Sequence, residues 1–167
     1  MRPRARDGII ESDIGTLAVG RRGVLLSADW LVGRASAPDF DPRDEIAAAF
    51  VAAYLRYFRG HDWREAFEDL PIGDGTPFQC RVWTSCRTIR TGDTRTYGWI
   101  ARDLGLKPLH CRAIGNALRR NPLPIAVPCH RVVASSGLGG YAGARSGALA
   151  DIKSRLLAFE SAMRAKP

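Results

Sequence analysis

The sequence predicts an α+β protein with a small mixed N-terminal part and a mainly helical C-terminal part. Runs of β-prone residues stand out in the first half, whereas apolar residues recur at helical spacing through the second half. Charge divides the 167 residues in the same way. Residues 1–75 carry 10 basic and 13 acidic side chains, and residues 76–167 carry 15 and 4, for net charges of −3 and +11. We therefore predict a supporting α/β domain over residues 1–70, a linker over 71–76 and a C-terminal domain over 77–167.

The composition favours a globular protein that binds nucleic acid. Hydrophobic residues make up 46% of the chain, and no apolar segment is long enough to span a membrane. The basic N-terminus lacks the apolar core of a signal peptide, so we expect a cytoplasmic protein with free thiols. A basic half of this size is typical of nucleic-acid binders, although a merely soluble basic protein, or one that touches anionic membrane, would also show it.

The N-terminal elements carry no evident chemistry. Residues 14–19 and 24–30 predict a β-hairpin around a Gly-Arg-Arg-Gly turn. Asp41 and Pro42 predict the start of a helix, because a capping side chain is followed by proline at the first helical position. This helix would end at Gly60. Its buried face would consist of Ile46, Phe50, Tyr54 and Phe58.

A capping box marks the start of the next helix. Thr76 can cap it, Pro77 fits the first helical position, and Gln79 can reach back to the backbone amide of Thr76. Trp83 lies beside the buried face of this helix. That face would be formed by Phe78, Val82, Cys86 and Ile89.

Two short helices would follow, over residues 96–104 and 109–120, joined by Gly-Leu-Lys-Pro at 105–108. This length and turn chemistry are typical of a helix-turn-helix, although any two-helix hairpin could look alike. The residues of the second helix that would face inward are Leu109, Ala113, Ile114, Ala117 and Leu118. Its outer face, which is either a solvated surface or a DNA-binding one, would carry Arg112, Asn116, Arg119 and Arg120.

Cys129 and His130 form the clearest chemical signal. Apolar residues on both sides imply that Cys129 is largely buried, and burial raises the pKa of a thiol, so reactivity requires a partner. The cysteines and histidines show no zinc-ligand spacing, and we expect no metal. A glycine-rich loop around Tyr141 could wall a pocket, and a final helix over 150–163 carries the acid Glu160.

Eight short motifs follow one another over residues 75–160. They are Gly75-Thr76-Pro77-Phe78-Gln79, Val82-Trp83, Thr96-Tyr97-Gly98, Arg112-Ala113-Ile114-Gly115, Asn121-Pro122, Pro128-Cys129-His130-Arg131-Val132, Gly140-Tyr141 and Leu156-Leu157-Ala158-Phe159-Glu160. In this order they resemble the O(6)-alkylguanine-DNA alkyltransferases, also called methylated-DNA–protein-cysteine methyltransferases. The first 70 residues match that family only in general character. The resemblance implies a ribonuclease H-like N-terminal domain and a winged helix-turn-helix in the C-terminal domain.

The resemblance also implies the chemistry. Cys129 would attack the alkyl carbon of O(6)-alkylguanine in an in-line displacement. His130 would remove the thiol proton through a water, while Glu160 holds and polarises the imidazole. Tyr97 would donate to the base or help to rotate its phosphate. Because a thioether regenerates nothing, each chain would act once, and we expect no cofactor.

An alkylated base must leave the duplex before a thiol can reach it. By the resemblance, Arg112 would enter the vacated stack, with its helix in the minor groove. The other DNA-contacting residues would be Thr96, Tyr97, Ala113, Asn116, Arg119 and Arg120. Asn121 would join the recognition helix to the active-site segment, and Arg131 would form a structural salt bridge. The residues lining the base pocket would be Val132, Tyr141 and Ala142.

The implied partner is double-stranded DNA that contains O(6)-alkylguanine, with O(4)-alkylthymine as a further candidate lesion. We expect a monomer that meets no membrane and is nucleoid-associated when bound. Residues 143–152 form a longer segment than the family pattern has, which leaves the pocket size open.

Two other functions stay open. One is a non-repairing, alkyltransferase-like protein that only binds lesions; such relatives lack the acceptor cysteine, and Cys129 is present here. The other is a cysteine hydrolase that uses Cys129 and His130. That pairing is awkward, because adjacent residues on a strand point to opposite faces.

Overall fold

The computed structural model describes residues 2–33 and 35–165, apart from the side chain of Pro108. The outermost residues of the two predicted domains, Met1 and Pro167, lie outside this range. The chain opens with a four-stranded antiparallel sheet. Its strands, in spatial order, are β1 (Arg4–Arg6), β2 (Ile9–Glu11), β3 (Thr16–Arg22) and β4 (Leu25–Trp30).

The predicted hairpin is formed by β3 and β4, with shifted bounds. β3 continues through Arg22, and the chain reverses at Gly23, whose φ of +63° favours glycine. β1 and β2 were not predicted, because strands of three residues are too short to show a period-two pattern. One face of the sheet buries Leu17, Val19 and Trp30.

Helix α1 (Glu45–Phe58) begins later than predicted, and its cap is Asp44 rather than Asp41. One carboxylate oxygen of Asp44 accepts hydrogen bonds from the backbone amides of Ile46 and Ala47, both at 3.1 Å. The other oxygen pairs with Arg21 of β3 at 2.7 Å, a contact that local sequence cannot reveal. Ile46, predicted to be buried, is 47% exposed and lies in the first turn of the helix. Helix α2 (Trp63–Phe67) follows.

Helix α3 (Pro77–Arg87) confirms the predicted capping box. The Gln79 amide donates to Thr76 Oγ1 at 3.3 Å, and the Thr76 amide donates to Gln79 Oε1 at 2.8 Å. Val82 and Cys86 are buried on its inner face, as predicted, and Phe78 is partly buried.

Helices α4 (Tyr97–Asp103) and α5 (Cys111–Arg119) take the place of the two predicted helices, and a 3₁₀ turn at Pro108–His110 precedes α5. The prediction that Leu109 and Ala113 face inward is wrong, because Leu109 is 74% exposed and Ala113 is also exposed. A 3₁₀ turn has 3.0 residues per turn instead of 3.6, so α-helical spacing cannot be carried back to Leu109. The buried stripe of α5 is narrower than predicted and consists of Ile114, Ala117 and Leu118.

The last elements surround Cys129. Strands β5 (Arg95–Thr96) and β6 (Val132–Val133) pair in parallel, which brings the start of α4 beside the segment that follows Cys129. Helix α6 (Ala148–Arg164) is longer than predicted at both ends. Its early start takes up part of the long segment after residue 143.

Two buried clusters form the hydrophobic core. The first joins the four-stranded sheet, α1 and α2 to Leu123, Ile125 and Tyr141, and the second joins α3, α4 and α5 to Val127 and Val132. Cys129 packs against both clusters, so residues from both halves of the chain surround it. Within the described residues, no helix is both long and apolar enough to cross a bilayer.

Candidate functional site

A groove of about 830 Å³ lies between α5 and the glycine-rich loop at 134–145. Cys129 and Tyr97 line it. The longer polar side chains that α5 and the loop add are Arg112, Asn116, Arg119 and Arg145. Three guanidinium groups around one concave surface attract anionic ligands, and the partly buried thiol of Cys129 lines the same groove.

Asn121 fixes the surroundings of the thiol. Its Nδ2 lies 3.4 Å from Sγ of Cys129 and also donates to the carbonyl of Val127 at 2.9 Å, while its Oδ1 accepts from the Leu123 amide at 2.9 Å. Burial raises the pKa of the Cys129 thiol, and the Asn121 hydrogen bond and the charge of Lys153 oppose that rise. The thiol therefore needs a base to reach its nucleophilic form at neutral pH.

His130 is fully buried and is oriented by Glu160. Its Nε2 lies 2.9 Å from Oε1 of Glu160. Because an ionised carboxylate only accepts hydrogen bonds, Nε2 carries the proton and Nδ1 carries the lone pair. Nδ1 is buried and has no hydrogen-bond partner among the described residues. Burial lowers the pKa of His130 despite the opposing pull of Glu160, so the ring is a neutral base at neutral pH.

Glu160 is held as a carboxylate by several donors. Arg131 faces it with Nη2 2.7 Å from Oε1 and Nε 2.9 Å from Oε2, and the Gly92 amide donates to Oε2 at 3.0 Å. Burial would raise the pKa of Glu160, but attraction and hydrogen bonds from His130 and Arg131 hold it well below its usual range. The expected structural salt bridge of Arg131 is confirmed.

Comparison with known proteins identifies the relatives of this chain. A family model described as "6-O-methylguanine DNA methyltransferase, DNA binding domain" matches residues 77–162. The constitutive methylated-DNA–protein-cysteine methyltransferase of Bacillus subtilis is 36% identical over 159 residues, which cover 90% of this chain and 92% of that protein. The Methanosarcina acetivorans methyltransferase of the same description is 43% identical over 157 residues, covering 91% and 96%.

The chain is therefore a member of the methylated-DNA–protein-cysteine methyltransferase family. Its fold agrees with that membership. The crystal structure of Mycobacterium tuberculosis OGT in complex with DNA matches with a TM-score of 0.71 and 35% identity, covering 93% of this chain and 92% of that one. The mixed α/β architecture is thus shared with solved members of the methyltransferase family.

The residues that the family pattern assigns to DNA fall into two groups. Arg112, Asn116 and Arg119 line the groove, whereas Ala113 on α5 and Arg120 directly after it are exposed and do not line the groove. In addition, Thr96 caps α4, since its Oγ1 accepts from the Trp99 amide at 3.2 Å. Along the chain, these residues lie at the start of α4, on α5 and directly after α5.

Of the three predicted base-pocket residues, two line the groove and one does not. Tyr141 and Ala142 line the groove, and the hydroxyl of Tyr141 accepts from Trp30 Nε1 at 3.0 Å, which ties the loop to the N-terminal sheet. Val132 does not line the groove; it is buried on β6, and its carbonyl accepts from Lys153 Nζ at 2.7 Å. Gly143, with φ of +88°, lies so close to Arg119 that a Cβ would come within 2.5 Å of Nε.

Two residues of the site were not predicted. Lys153 is 1% exposed and donates to the carbonyls of Val132, Leu138 and Gly140, so it ties β6 to the groove wall. The sequence signal that could have revealed Lys153 is a charged residue at helical spacing from the apolar Leu156, on the same buried face of α6. Tyr57 of α1 donates to Oε1 of Glu160 at 2.7 Å, and no sequence signal separates it from the other core aromatics.

All four cysteines are free. Within the described ranges, no group of three or more His, Cys, Asp or Glu side chains is placed to hold a metal ion.

Proposed function

We infer that this protein repairs O(6)-alkylguanine in double-stranded DNA by moving the alkyl group to Sγ of its own Cys129. One observation carries the inference. The Cys129 thiol lines a basic groove, and the next residue, His130, is buried and hydrogen-bonded to Glu160. Two relatives at 36% and 43% identity carry the name of this activity, and a structural relative is described in complex with DNA. The transfer is irreversible, so each chain acts once.

In the chemical step, the S–C bond forms while the C–O(6) bond breaks, and its electron pair goes to the guanine oxygen. The thiol proton passes through a water to Nδ1 of His130, and Tyr97 donates a proton to the guanine as negative charge develops. Burial raises the pKa of Tyr97, so its hydroxyl is protonated at neutral pH. Solvent then returns a proton from His130 to Tyr97, which leaves neutral guanine and an S-alkyl thioether.

For DNA recognition, we propose that α4 and α5 form a helix-turn-helix whose second helix enters the minor groove. Arg112 takes the place of the flipped base, which its position in the lining of the groove that also contains Cys129 supports. The side chains proposed to contact the backbone and groove edges are Thr96, Tyr97, Ala113, Asn116, Arg119 and Arg120. Asn121 joins α5 to the active-site segment, and Tyr141 and Ala142 line the part of the groove that receives the base, whereas Val132, buried on β6, supports it from behind.

The finer organisation belongs to the same proposal. The first 70 residues form a ribonuclease H-like domain, residues 71–76 a linker, and residues 77–167 a domain whose helix-turn-helix is winged. The protein acts as a monomer, in the cytoplasm, on the nucleoid. The net charge of +11 over residues 76–167 supports DNA as the partner.

Transfer of a labelled methyl group tests the function. Duplex DNA that carries labelled methyl on guanine O(6) should label the protein at a 1:1 ratio, on the peptide that contains Cys129. Cys129→Ser should abolish the labelling, and Cys80→Ser, the matched control on α3, should keep it. DNA binding without a covalent product would favour the lesion-binding function, and release of many product equivalents would favour a hydrolase.

Arg112→Ala tests the base-flipping role. We expect transfer from duplex DNA to slow by about tenfold, because extruding a base costs a few kcal/mol that the inserted side chain helps to offset. Single-stranded substrate should be affected much less. Arg59→Ala, an exposed change in the N-terminal half, is the control. An equal loss on both substrates would contradict the role.

A further inference from the structure

The catalytic carboxylate receives a hydrogen bond from the half of the chain that carries no other site chemistry. The Tyr57 hydroxyl of α1 lies 2.7 Å from Oε1 of Glu160, and both side chains are 0% exposed. Oε1 is also the oxygen that accepts from Nε2 of His130, at 2.9 Å, and from Nη2 of Arg131, at 2.7 Å. Together with Nε of Arg131, at 3.1 Å, donors from three residues therefore share one carboxylate oxygen.

We propose that Tyr57 is a positioning residue of the alkyl-transfer site, which acts through Glu160 to keep His130 neutral and oriented until the thiol proton arrives. The inference rests on the proposed function, because it assigns Tyr57 a part in that reaction. It also gives the N-terminal half a part in the chemistry beyond packing.

The hydroxyl is not needed for packing. The ring of Tyr57 contacts Phe58, Phe67 and Phe159, with centroid separations of 5.5, 6.0 and 5.5 Å, and a phenylalanine would keep these contacts. What the hydroxyl adds is a donor aimed at Glu160. Burial, and after it the charge of Glu160, raises the pKa of Tyr57 well above its ordinary value, so this group stays a donor throughout the working pH range.

The effect on His130 has a definite sign. A carboxylate oxygen that accepts from Tyr57 is a weaker acceptor for the Nε2 proton and a weaker attractor of positive charge on the imidazole. Without the hydroxyl, Glu160 pulls harder, so the pKa of His130 rises. The other charged groups that act on the ring are Arg131 and Lys153, which both lower its pKa and are unchanged by the substitution. A protonated His130 cannot accept the thiol proton, so the loss is greatest in acid.

Tyr54 supplies a matched control on the same helix. Its hydroxyl is also 0% exposed and donates at 2.7 Å, but to the backbone carbonyl of Pro124. Tyr54→Phe and Tyr57→Phe each delete one buried hydrogen bond of equal length from α1. Only Tyr57→Phe touches the carboxylate.

The test is the single-turnover rate of methyl transfer from methylated duplex DNA between pH 5 and pH 9, for the wild type and both variants. We expect Tyr57→Phe to move the acid limb of the pH–rate profile to higher pH by about one unit. At a given pH on that limb, the rate should then be about tenfold lower than that of the wild type. At pH 8.5 its rate should match the wild type. Tyr54→Phe should keep the wild-type shape.

A second readout does not depend on the rate. The imidazole of His130, followed by NMR through its ring nitrogens, should titrate at higher pH in Tyr57→Phe than in Tyr54→Phe. A Tyr57→Phe profile parallel to that of the wild type, or an equal shift in Tyr54→Phe, would overturn the inference. Wild-type protein that transfers no methyl group would instead overturn the proposed function, so the two failures are distinct.

Discussion

Glu160→Gln should destabilise the protein severely, because it removes the negative charge that compensates a buried guanidinium. Arg131 and Glu160 are both 0% exposed, and Arg131 has a bidentate contact with the carboxylate. Breaking a buried ion pair by removing one partner costs about 3–5 kcal/mol. An unfolding entropy of about 2.1 cal/mol/K per residue gives roughly 0.35 kcal/mol/K for a chain of this length, so Tm should fall by about 10 °C.

Acid should reduce this difference, and the sign follows from the direction of the pKa shift. The pKa of Glu160 is lowered in the folded state, so its stabilisation is present above the unfolded pKa of about 4.3 and is lost as pH falls below it. Between pH 7 and pH 3, the gap in unfolding free energy between wild type and Glu160→Gln should shrink by about 2 kcal/mol.

Thermal and urea unfolding followed by circular dichroism at pH 7 and pH 3 measure both effects. Glu65→Gln is the control, since the side chain of Glu65 is 60% exposed and its contact with His61 is 3.4 Å long. A Tm for Glu160→Gln within about 2 °C of the control would refute the reasoning, since that corresponds to less than 1 kcal/mol. A gap that grows in acid would refute the assigned direction of the pKa shift.

Further predictions concern the thiol, the groove wall and the buried lysine. Asn121→Leu should raise the thiol pKa of Cys129 and slow its reaction with iodoacetamide at pH 7.5; an unchanged rate would contradict the role of the 3.4 Å contact. Gly143→Val should displace Arg119 and strain a φ of +88°, lowering stability by about 1–3 kcal/mol in urea unfolding, and an unchanged stability would contradict this. Burial lowers the pKa of Lys153 to about 8, so the ammonium group loses its proton at lower pH in the folded chain than in the unfolded one, and the unfolding free energy should rise with pH above 8. In urea unfolding, the unfolding free energy of the wild type should rise by about 1 kcal/mol between pH 8 and pH 9 relative to that of Lys153→Met, and a fall would contradict the direction of the pKa shift.

Local patterns predicted the elements whose causes are local. Thr76, Pro77 and Gln79 formed the expected capping box, because a capping box involves only neighbouring residues. The same reasoning chose Asp41 as the cap of α1, although the ion pair with Arg21 of β3 favours Asp44. Likewise, α-helical spacing assigned Leu109 to the core, where a 3₁₀ turn in fact exposes it.

The sequence alone determined the family and the residues next to Cys129 along the chain. The ordered motifs around Cys129, His130 and Glu160 carried the family resemblance. The sequence could not reveal the contacts of Tyr57 and Lys153 at the site, because their hydrogen-bond partners Glu160 and Val132 lie 103 and 21 residues away along the chain. Only the tertiary structure brings α1 against α6 and buries Glu160 between Tyr57, His130 and Arg131. A hydrogen bond depends on distance and direction in space, and for such remote partners the packing of the two halves decides both.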